Sequence, residues 1–519
     1  MSLARAIATV GGFTMLSRIT GFARDMMIAN FLGAGMVADC FFVAFKFPNL
    51  FRRLFAEGAF AAAFVPLFAG LIESDGKDEA ERFANQAFAV LTWALVALVA
   101  LFEIIMPWAM VVFAPGFDAV PGKMDLATEL TRITFPYLLF ISLVSLQGGV
   151  LNSLHRFAAA AGTPVLLNLS LMAALLALVP YTATPGHALA WGTTIAGVLQ
   201  FVWLWTSIRR AGVRLGLGAP AWTPRIRLLM KRIVPGAVGA GMYQINLLID
   251  TMIASLVGTG AVSFLYYADR VNQLPLGVVG TAVGTALLPV LSRQLRAGNH
   301  EAAAYAQNRT LEFALLLTLP AMTALMAVSW PIVAVLFLRG EFSVADARAT
   351  ADALAAFSLG LPAYVLIKVF TPSFFAREDT ATPVKVAGVA MLVNIVAMLA
   401  LMGPLKHVGI ALATALSAWV NAGLLAWLLR RRHALPFDAR LKQRVPRIAA
   451  ASAVTGGLLH LTLTTWPQVW TAPLWQKGSA LAGLVVAGMV IFAVLVVALG
   501  GSSLGDIRGF VRRKDARQA

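Results

Sequence analysis

Hydrophobic residues occur along this chain in runs of about 20, the length that crosses the hydrocarbon core of a bilayer as an α-helix. Short polar or charged segments separate the runs, and none is long enough for a soluble domain. The pattern predicts fourteen spans, at residues 6–31, 35–62, 84–112, 130–152, 160–180, 187–208, 233–257, 262–291, 310–336, 350–375, 383–402, 407–429, 447–465 and 478–500. The chain is therefore predicted to be an all-α integral membrane protein.

Composition supports the same class. Of the 519 residues, 59% are hydrophobic and 13% are charged, and that charged share is about half of the share in soluble domains. The net charge of +17 could indicate nucleic-acid binding, but the charges gather in short segments between apolar runs, which is typical of membrane topology. The single cysteine, Cys40, excludes a disulfide framework. No motif for a metal, a nucleotide or a catalytic nucleophile is present, so we expect neither an enzyme nor a bound metal.

The distribution of lysine and arginine predicts the orientation. The segments after spans six and twelve and the C-terminal tail are rich in these residues, and all three lie on the side of the N-terminus. Because cytoplasmic loops carry this excess, both termini are predicted to be cytoplasmic. The basic tail, 501–519, could also bind anionic lipid, but the ordinary positive-inside bias is the favoured interpretation.

The first six spans resemble the next six at a nearly constant offset of 219 to 225 residues. The matching pairs include Asp25 and Asp250, Asn49 and Asn272, Pro66 and Pro289, Pro107 and Pro331, Gly116 and Gly340, and Thr163 and Thr382. An even number of spans per unit makes this a parallel repeat, which is typical of transporters. We predict two lobes, 1–210 and 225–432, that rock around a central cavity, with an added lipid-facing pair of spans at 445–500.

Ionisable residues within spans are costly, and they usually face a bundle interior or a water-filled cavity. Asp39, Phe42, Lys46, Asn49 and Arg53 lie on one helical face, which covers about 21 Å at about 1.5 Å per residue. This face is predicted to contact water or a polar ligand. The basic residues assigned to a cavity are Arg18, Arg24, Lys46, Arg52, Arg53, Arg270 and Lys368, and the acids assigned to transport are Asp25, Asp39, Glu57 and Asp269.

The excess of arginine predicts an anionic substrate, since the planar guanidinium group suits phosphate oxygens. A phosphate or diphosphate is the favoured ligand. The alternative is that the charges only pair internally, for example Arg53 with Glu57 one helical turn later. Substrate contact is favoured for Arg24, Arg52 and Arg270, while both interpretations stay open for the acids.

Two acidic sets need separate interpretations. Asp250, Asp379 and Asn394 could bind a coupling cation if spans seven and eleven meet, because hard cations prefer oxygen ligands. Asp250 could equally be a proton carrier or a polar packing residue. The acidic segment from 73 to 81 is interpreted as a solvated cytoplasmic loop.

Several segments carry a family resemblance, at 17–25, 39–58, 114–117, 266–270 and 377–385. The most specific signal is Arg52-Arg53 followed by Glu57-Gly58. In these segments the chain resembles the MurJ (MviN) family of lipid II flippases, within the superfamily that also includes multidrug/cation antiporters and polysaccharide-lipid flippases. The resemblance covers nearly all of the first twelve spans.

The resemblance implies a fourteen-helix, two-lobed protein that moves undecaprenyl-diphosphate-linked disaccharide-pentapeptide from the cytoplasmic to the outer leaflet. It implies that Arg18, Arg24, Arg52 and Arg270 hold the diphosphate, that Asp39 matters for transport, and that spans thirteen and fourteen border a groove for the lipid tail. Gln273 receives no role. The expected partners are lipid II, membrane lipids and cell-wall synthesis proteins, and the energy source is a cation (Na⁺ or H⁺) or the membrane potential.

The sequence leaves three rival functions open. A flippase for another polyprenyl-diphosphate oligosaccharide is the nearest. A multidrug/cation antiporter would need an acidic or aromatic cavity, and the basic residues speak against it. A membrane-embedded enzyme would need a cluster of catalytic carboxylates or histidines, which the sequence lacks.

Overall fold

A computed structural model describes residues 3–55 and 59–503, and it leaves out the side chains at 3–7, 53–55, 59, 61, 234–243, 278, 281–286, 467 and 471. Within these ranges the regular elements are helices. The α-helices are α1 (Leu3–Leu32), α2 (Met36–Phe55), α3 (Ala59–Ser74), α4 (Lys77–Phe113), α5 (Lys123–Thr134), α6 (Tyr137–Ser153), α7 (Phe157–Ala177), α8 (Pro185–Arg210), α9 (Pro224–Val257), α10 (Ala261–Arg296), α11 (His300–Ala327), α12 (Ser329–Phe337), α13 (Val344–Ser358), α14 (Leu361–Phe375), α15 (Ala381–Arg431), α16 (Ala439–Thr465) and α17 (Leu474–Ala498). Short 3₁₀ turns lie at Pro115–Ala119, Val179–Tyr181 and Pro467–Thr471.

Nine helical segments of the described ranges are long and apolar enough to cross a membrane. One of them, α15, has 51 residues and is a hairpin of two spans. The chain turns at Lys406, whose φ is 49° and ψ is −132°, and the Ser417 hydroxyl then donates to the Ala390 carbonyl at 2.9 Å. With α1, the pair α2–α3, α9 and α10, these segments correspond to the fourteen predicted spans. The predicted fold class is confirmed.

The second and third spans extend further than predicted. The sequence pattern ends the second span at residue 62, whereas α3 continues to Ser74, and α4 begins at Lys77 rather than at 84. The predicted span limits are placed where charged residues begin. A helix can continue beyond the hydrocarbon core as long as its backbone hydrogen bonds are kept. The 37 residues of α4 measure about 55 Å, well beyond the hydrocarbon thickness of about 30 Å.

The chain forms two compact units. Unit 1 comprises Met1–Ser263 and Arg339–Ser343, and unit 2 comprises Phe264–Leu338 and Val344–Ala519. Unit 1 therefore includes α9, because this helix packs against α2, α3 and α4. The predicted lobes are defined by the sequence repeat, whereas the two units are defined by packing. The predicted division into lobes stays a prediction.

Aromatic residues fill the interior of unit 1. Phe60, Phe64 and Phe68 stack at successive helical turns, with ring centroids 5.3 and 5.5 Å apart. A second cluster surrounds Phe47, whose ring meets that of Phe113 edge-on at 4.1 Å. The spacing of three to four residues on α3 explains the stack, since such residues share a helical face.

In unit 2 the contacts of α11 position the two C-terminal helices. α11 packs against α14 and α16, and α16 packs in turn against α17. The carboxylate of Glu312 on α11 binds the guanidinium groups of Arg440 and Arg444 on α16, at 3.1 and 2.5 Å. Arg309 bridges Glu312 and Asp438, the residue that caps α16. An ionic network thus joins α16 to α11 at this end of unit 2.

Candidate functional site

The most buried acid of the predicted set lies near the start of α2. Asp39 is fully buried, and its Oδ2 atom lies 2.7 Å from Nζ of Lys123, the first residue of α5. Lys123 is itself 1% exposed and also lies over the Phe117 ring, 4.2 Å from its centroid. Lys123 lies between the predicted spans 84–112 and 130–152, so the sequence pattern does not predict this pair. The available signal was its position, because a lysine on the predicted outer side departs from the positive-inside pattern.

Asp39 also binds the first turn of α10. The amides of Gly260 and Ser263 donate to its two carboxylate oxygens at 2.7 and 3.0 Å, and the Ser263 hydroxyl donates at 2.6 Å. A helix N-terminus offers unpaired amides and a positive dipole end, so a carboxylate here is strongly stabilised. Ser263 follows Asp39 by 224 residues, within the range of the repeat offsets. Asp39 therefore joins equivalent parts of the two repeats inside unit 1.

Two glycines pack against backbone at the same end of unit 1. A Cβ atom on Gly116 would lie 2.1 Å from the Ser255 carbonyl oxygen, and one on Gly340 would lie 2.2 Å from the Asn30 carbonyl oxygen. The repeat relates Gly116 to Gly340 and Asn30 to Ser255, at offsets of 224 and 225. The two contacts are thus reciprocal, as a parallel repeat predicts. We call this part of unit 1 the outer end, after the predicted orientation of the spans: residues 30–39, 114–123, 255–263 and 339–343.

Arg24 and Asp25 of α1 form a buried ion pair. The Arg24 Nε and Nη2 atoms donate to Asp25 Oδ1 at 3.0 and 2.6 Å, and Nη1 donates to the Asn168 side-chain oxygen on α7 at 2.9 Å. Arg24 is 6% exposed. Internal pairing, the less favoured alternative for Arg24, is thus present, and the adjacent carboxylate of Asp25 supplies it. Gly21, one turn earlier on α1, makes room for Asn168, whose side-chain nitrogen lies 3.3 Å from the Cβ position of this glycine.

The polar stripe of α2 is accessible over only part of its length. Asp39 and Phe42 are buried in protein, which corrects the prediction that the whole face contacts water or a ligand. Lys46 is exposed, and its ammonium group donates to the Thr251 hydroxyl at 3.4 Å. Asn49 is half-buried. The first part of the stripe is buried because the outer end packs around it.

The other basic residues of α1 and α2 differ in exposure. Arg52 is half-buried, and its Nε atom donates to the Asn49 side-chain oxygen at 3.1 Å. Arg18 is exposed on α1. The side chain of Arg53 and all of Glu57 lie outside the described residues, so their predicted pairing stays a prediction.

Unit 2 contains the predicted substrate and transport residues Asp269, Arg270 and Lys368. Arg270 stacks over the Tyr266 ring, 4.8 Å from its centroid, and Asp269 accepts a hydrogen bond from Gln273. Lys368 is exposed on α14 and lies across Gly280, where a Cβ atom would come within 2.6 Å of its Nζ. Gly280 thus provides the space that Lys368 occupies. Gln273, which received no role from the sequence, is a partner of Asp269.

The cation site predicted from three oxygen ligands is wrong as a set. Asp379 precedes α15, and Asn394 lies thirteen residues into that helix, about 20 Å away at about 1.5 Å per residue. One ion cannot contact both side chains. Asp250 is half-buried in unit 1, where the Asn246 side-chain amide donates to it at 3.4 Å. Among the described residues, no group of three metal-binding side chains occurs.

Asp379 has a structural role instead. Hydrogen bonds from the Thr382 hydroxyl and the Arg432 guanidinium, at 2.6 Å each, hold the pKa of Asp379 well below its usual range. The carboxylate caps the start of α15 through the Thr382 amide at 2.9 Å. Asp379 therefore connects the two ends of the α15 hairpin.

The acidic loop predicted to be solvated and the start of α4 bind the first turn of α9 and the segment that precedes it. Arg225 donates to Asp75 at 2.9 Å and to Glu79 at 2.7 Å. The Asn85 side chain bonds to the backbone of Arg214 and Gly216, at 3.0 and 2.6 Å. The interpretation as a solvated loop is thus incomplete, because α4 and this loop hold the connection between the repeats.

Nine apolar helical segments in the described part of the chain, a parallel repeat and charged residues inside spans define a polytopic membrane transporter. The fold matches that of a multidrug resistance MATE transporter of the MOP superfamily in an inward-facing conformation, with a TM-score of 0.64 and 16% identity, over 84% of this chain and 99% of that one. This likeness concerns the fold alone.

Sequence comparison identifies the family. The family model described as "Lipid II flippase MurJ" matches residues 28–486. A "Probable lipid II flippase MurJ" of Rhizobium meliloti is 46% identical over 99% of this chain and 97% of its own, and the "Lipid II flippase MurJ" of Burkholderia cenocepacia is 36% identical over 95% and 96%. A solved "Lipid II flippase MurJ, inward closed conformation" has a TM-score of 0.79 and 25% identity, over 97% and 99%. The chain belongs to the MurJ family.

Proposed function

We propose that this chain moves lipid II across the bacterial inner membrane by alternating access, and that both of its termini lie in the cytoplasm. The observation that carries the proposal is the set of basic side chains on α1 and α2, within spans where charged side chains are costly. Flipping breaks no covalent bond, so the side chains need only bind, orient and release the head group.

Arg24 is the most strongly positioned member of the set. Asp25 and Asn168 fix its guanidinium group, so little side-chain entropy is lost when a ligand binds. Asp25 also neutralises Arg24 while the site is empty, and a diphosphate would compete with that carboxylate for the same N–H groups.

Lys46 and Arg52 are accessible members of the set in unit 1, as is the exposed Arg18. A compact ammonium and a planar guanidinium suit different oxygens of a diphosphate, and both gain strength in a partly desolvated site. For Arg270 and Lys368 of unit 2 we propose the same substrate contacts. The polyprenyl tail needs no polar partner and stays in lipid, along the apolar pair α16 and α17.

Release on the other side of the membrane requires the outer end to open. Asp39 holds this end through Lys123 and the first turn of α10, so these bonds must break and re-form in each cycle. This makes Asp39 a transport residue that acts by controlling access, without contacting the substrate. As the energy source we propose a cation gradient or the membrane potential, and as further partners the cell-wall synthesis proteins that use the product.

The proposal is tested by direct binding with competing head groups. The purified chain would be titrated with fluorescent lipid II against undecaprenyl diphosphate carrying an unrelated oligosaccharide. The Lys46→Gln/Arg52→Gln double variant is expected to weaken lipid II binding by at least tenfold, since charge-assisted hydrogen bonds contribute about 1.5–3 kcal/mol each. The matched control Arg209→Gln removes an arginine at the end of α8. Equal binding of both lipids would favour the flippase of another polyprenyl-diphosphate oligosaccharide, and unchanged binding in the double variant would refute the assigned site.

A further inference from the structure

A cavity of about 610 Å³ opens at the end of α15 in unit 2. Its lining consists of Gly423, Ala426, Trp427, Arg430, Arg431 and Phe437. The lining thus contains two cations, two aromatic rings and no carboxylate. Both arginines are exposed, and within the described part of the chain neither has an acid at ion-pair distance. None of the residues assigned to lipid II transport lies here.

The aromatic rings fix the two guanidinium groups. The Arg431 Cζ atom lies 5.4 Å from the Trp427 ring centroid, and the Arg430 Cζ atom lies 5.2 Å from that of Phe437. A guanidinium that stacks on a ring uses its face for the ring, so its N–H groups remain directed outward. Because both side chains line the same cavity, two guanidinium groups are available to an anionic ligand there.

The acids nearest in sequence are already bound elsewhere. Asp438 accepts hydrogen bonds from Arg309 and from the Leu441 amide, the latter at 2.7 Å. Asp379 is paired with Arg432 at 2.6 Å. The charge of Arg430 and Arg431 is thus not compensated by these carboxylates.

An apolar strip runs from the cavity along the same face of α15. Trp427, Gly423, Trp419 and Leu416 follow one another at steps of four, four and three residues. Trp427, Trp419 and Leu416 are 53%, 41% and 47% exposed. A Cβ atom on Gly423 would meet nothing within 4 Å. The strip measures about 16 Å, close to the depth of one leaflet, which is half of the roughly 30 Å hydrocarbon core.

We propose that Arg430 and Arg431 bind the phosphate of an anionic phospholipid whose acyl chain lies along this strip. A cationic, ring-supported mouth at the end of a span suits a phosphodiester, and the apolar strip suits a chain rather than water. A free phosphate would use the arginines but not the strip. Phospholipid binding at this site can be measured without lipid II transport, so this proposal is tested independently of the proposed function.

The first repeat provides an internal comparison. Trp205 and Arg209, at an offset of 222 from Trp427 and Arg431, form the same stacked pair, at 5.3 Å. The position equivalent to Arg430 is Ile208, which is 1% exposed. Unit 1 thus has one arginine here where unit 2 has two, so Arg209→Gln is a matched control for the loss of a ring-stacked charge.

The test is native mass spectrometry of the full chain, released from detergent in the presence of phosphatidylglycerol. Each basic residue at an anionic surface contributes roughly fivefold to binding, so Arg430→Gln/Arg431→Gln is expected to lower phosphatidylglycerol affinity about 30-fold. Arg209→Gln should change it less than twofold. Phe437→Ala, which keeps both charges, should weaken binding several-fold, and melting curves of all variants check that each is folded.

Further probes distinguish the source of the anion. Phosphatidylethanolamine should bind at least tenfold more weakly than phosphatidylglycerol, and glycerol 3-phosphate should fail to displace bound lipid at millimolar concentration. Phosphatidylglycerol affinity within twofold of wild type in a folded double variant would overturn the proposal. Displacement by glycerol 3-phosphate, or equal retention of phosphatidylethanolamine, would also overturn it, since the site would then not select an anionic lipid.

Discussion

The ammonium group of Lys123 lies 2.7 Å from Oδ2 of Asp39, and neither side chain is more than 1% exposed. Two opposite charges have thus been removed from water together. The same carboxylate accepts the first amides of α10, so one side chain holds α2, α5 and α10. Asp39 has no nearby partner in the sequence, but its contacts place it at the centre of the outer end.

Asp39→Asn is expected to destabilise unit 1 by about 3–5 kcal/mol, because it leaves the Lys123 ammonium buried without its counter-charge. Thermal unfolding in detergent measures this loss. Cys40, the only cysteine, is buried beside the pair and should react faster with a maleimide in the variant. Adding Lys123→Met should restore much of the stability, because the unpaired charge is then gone. A double variant no more stable than Asp39→Asn would contradict the ion-pair account.

The reciprocal glycine contacts predict a second effect at the outer end. Gly116→Ala places a methyl group against the Ser255 carbonyl, so the backbones must separate. We expect increased labelling of a cysteine introduced by Ser255→Cys in a Cys40→Ser background, together with a lower melting temperature. Gly340→Ala should act more strongly, because its φ of 56° is also unfavourable for alanine.

Gly35→Ala is the matched control for these glycine variants. It lies in the same unit, and its added Cβ would meet nothing within 4 Å. Equal labelling of the Ser255→Cys thiol in the Gly116→Ala and Gly35→Ala backgrounds would show that close approach at Gly116 is unimportant.

The sequence predicts the spans well because apolar length is a local property. It also predicts the repeat, and with it the reciprocal positions of Gly116 and Gly340. It does not predict that Lys123 is the partner of Asp39, 84 residues away, because that choice depends on how α2 packs against α5. The spacing of Asp379 and Asn394 already argues against a shared ion, since a helix over most of this offset of fifteen residues separates their side chains by about 20 Å.

The network around Glu312 gives a further prediction. Glu312→Gln removes the carboxylate that Arg309, Arg440 and Arg444 share, and it should cost about 1–3 kcal/mol, because the carboxylate is nearly buried while the arginines are partly exposed. Because the network joins α16 to α11, the connection before α16 should become more sensitive to limited proteolysis. Glu301→Gln on the exposed start of α11 serves as the control. Identical cleavage rates in both variants would argue against this role.

The lowered pKa of Asp379 predicts that the stability of the protein depends on pH. Its folded-state pKa lies below the unfolded value of about 3.9, so the contribution is complete above that pH and is lost as the pH falls further. Because the pair is partly exposed, Asp379→Asn should cost about 1 kcal/mol or less at pH 7. The difference in melting temperature from wild type should shrink as the pH falls from 5 to 3. A difference that grows with acidity would contradict the assignment.

We propose that this chain carries lipid II through contacts with Arg24. The most direct test measures the accessibility of the lipid II head group from the periplasmic face, in cells where this chain is the only candidate flippase. Wild type, Arg24→Ala and Arg209→Gln would be compared at matched membrane abundance. We predict exposure of lipid II with wild type and Arg209→Gln, and its retention inside with Arg24→Ala. Equal exposure with Arg24→Ala would contradict the assigned site, and no exposure with the folded wild-type chain would contradict lipid II as the substrate.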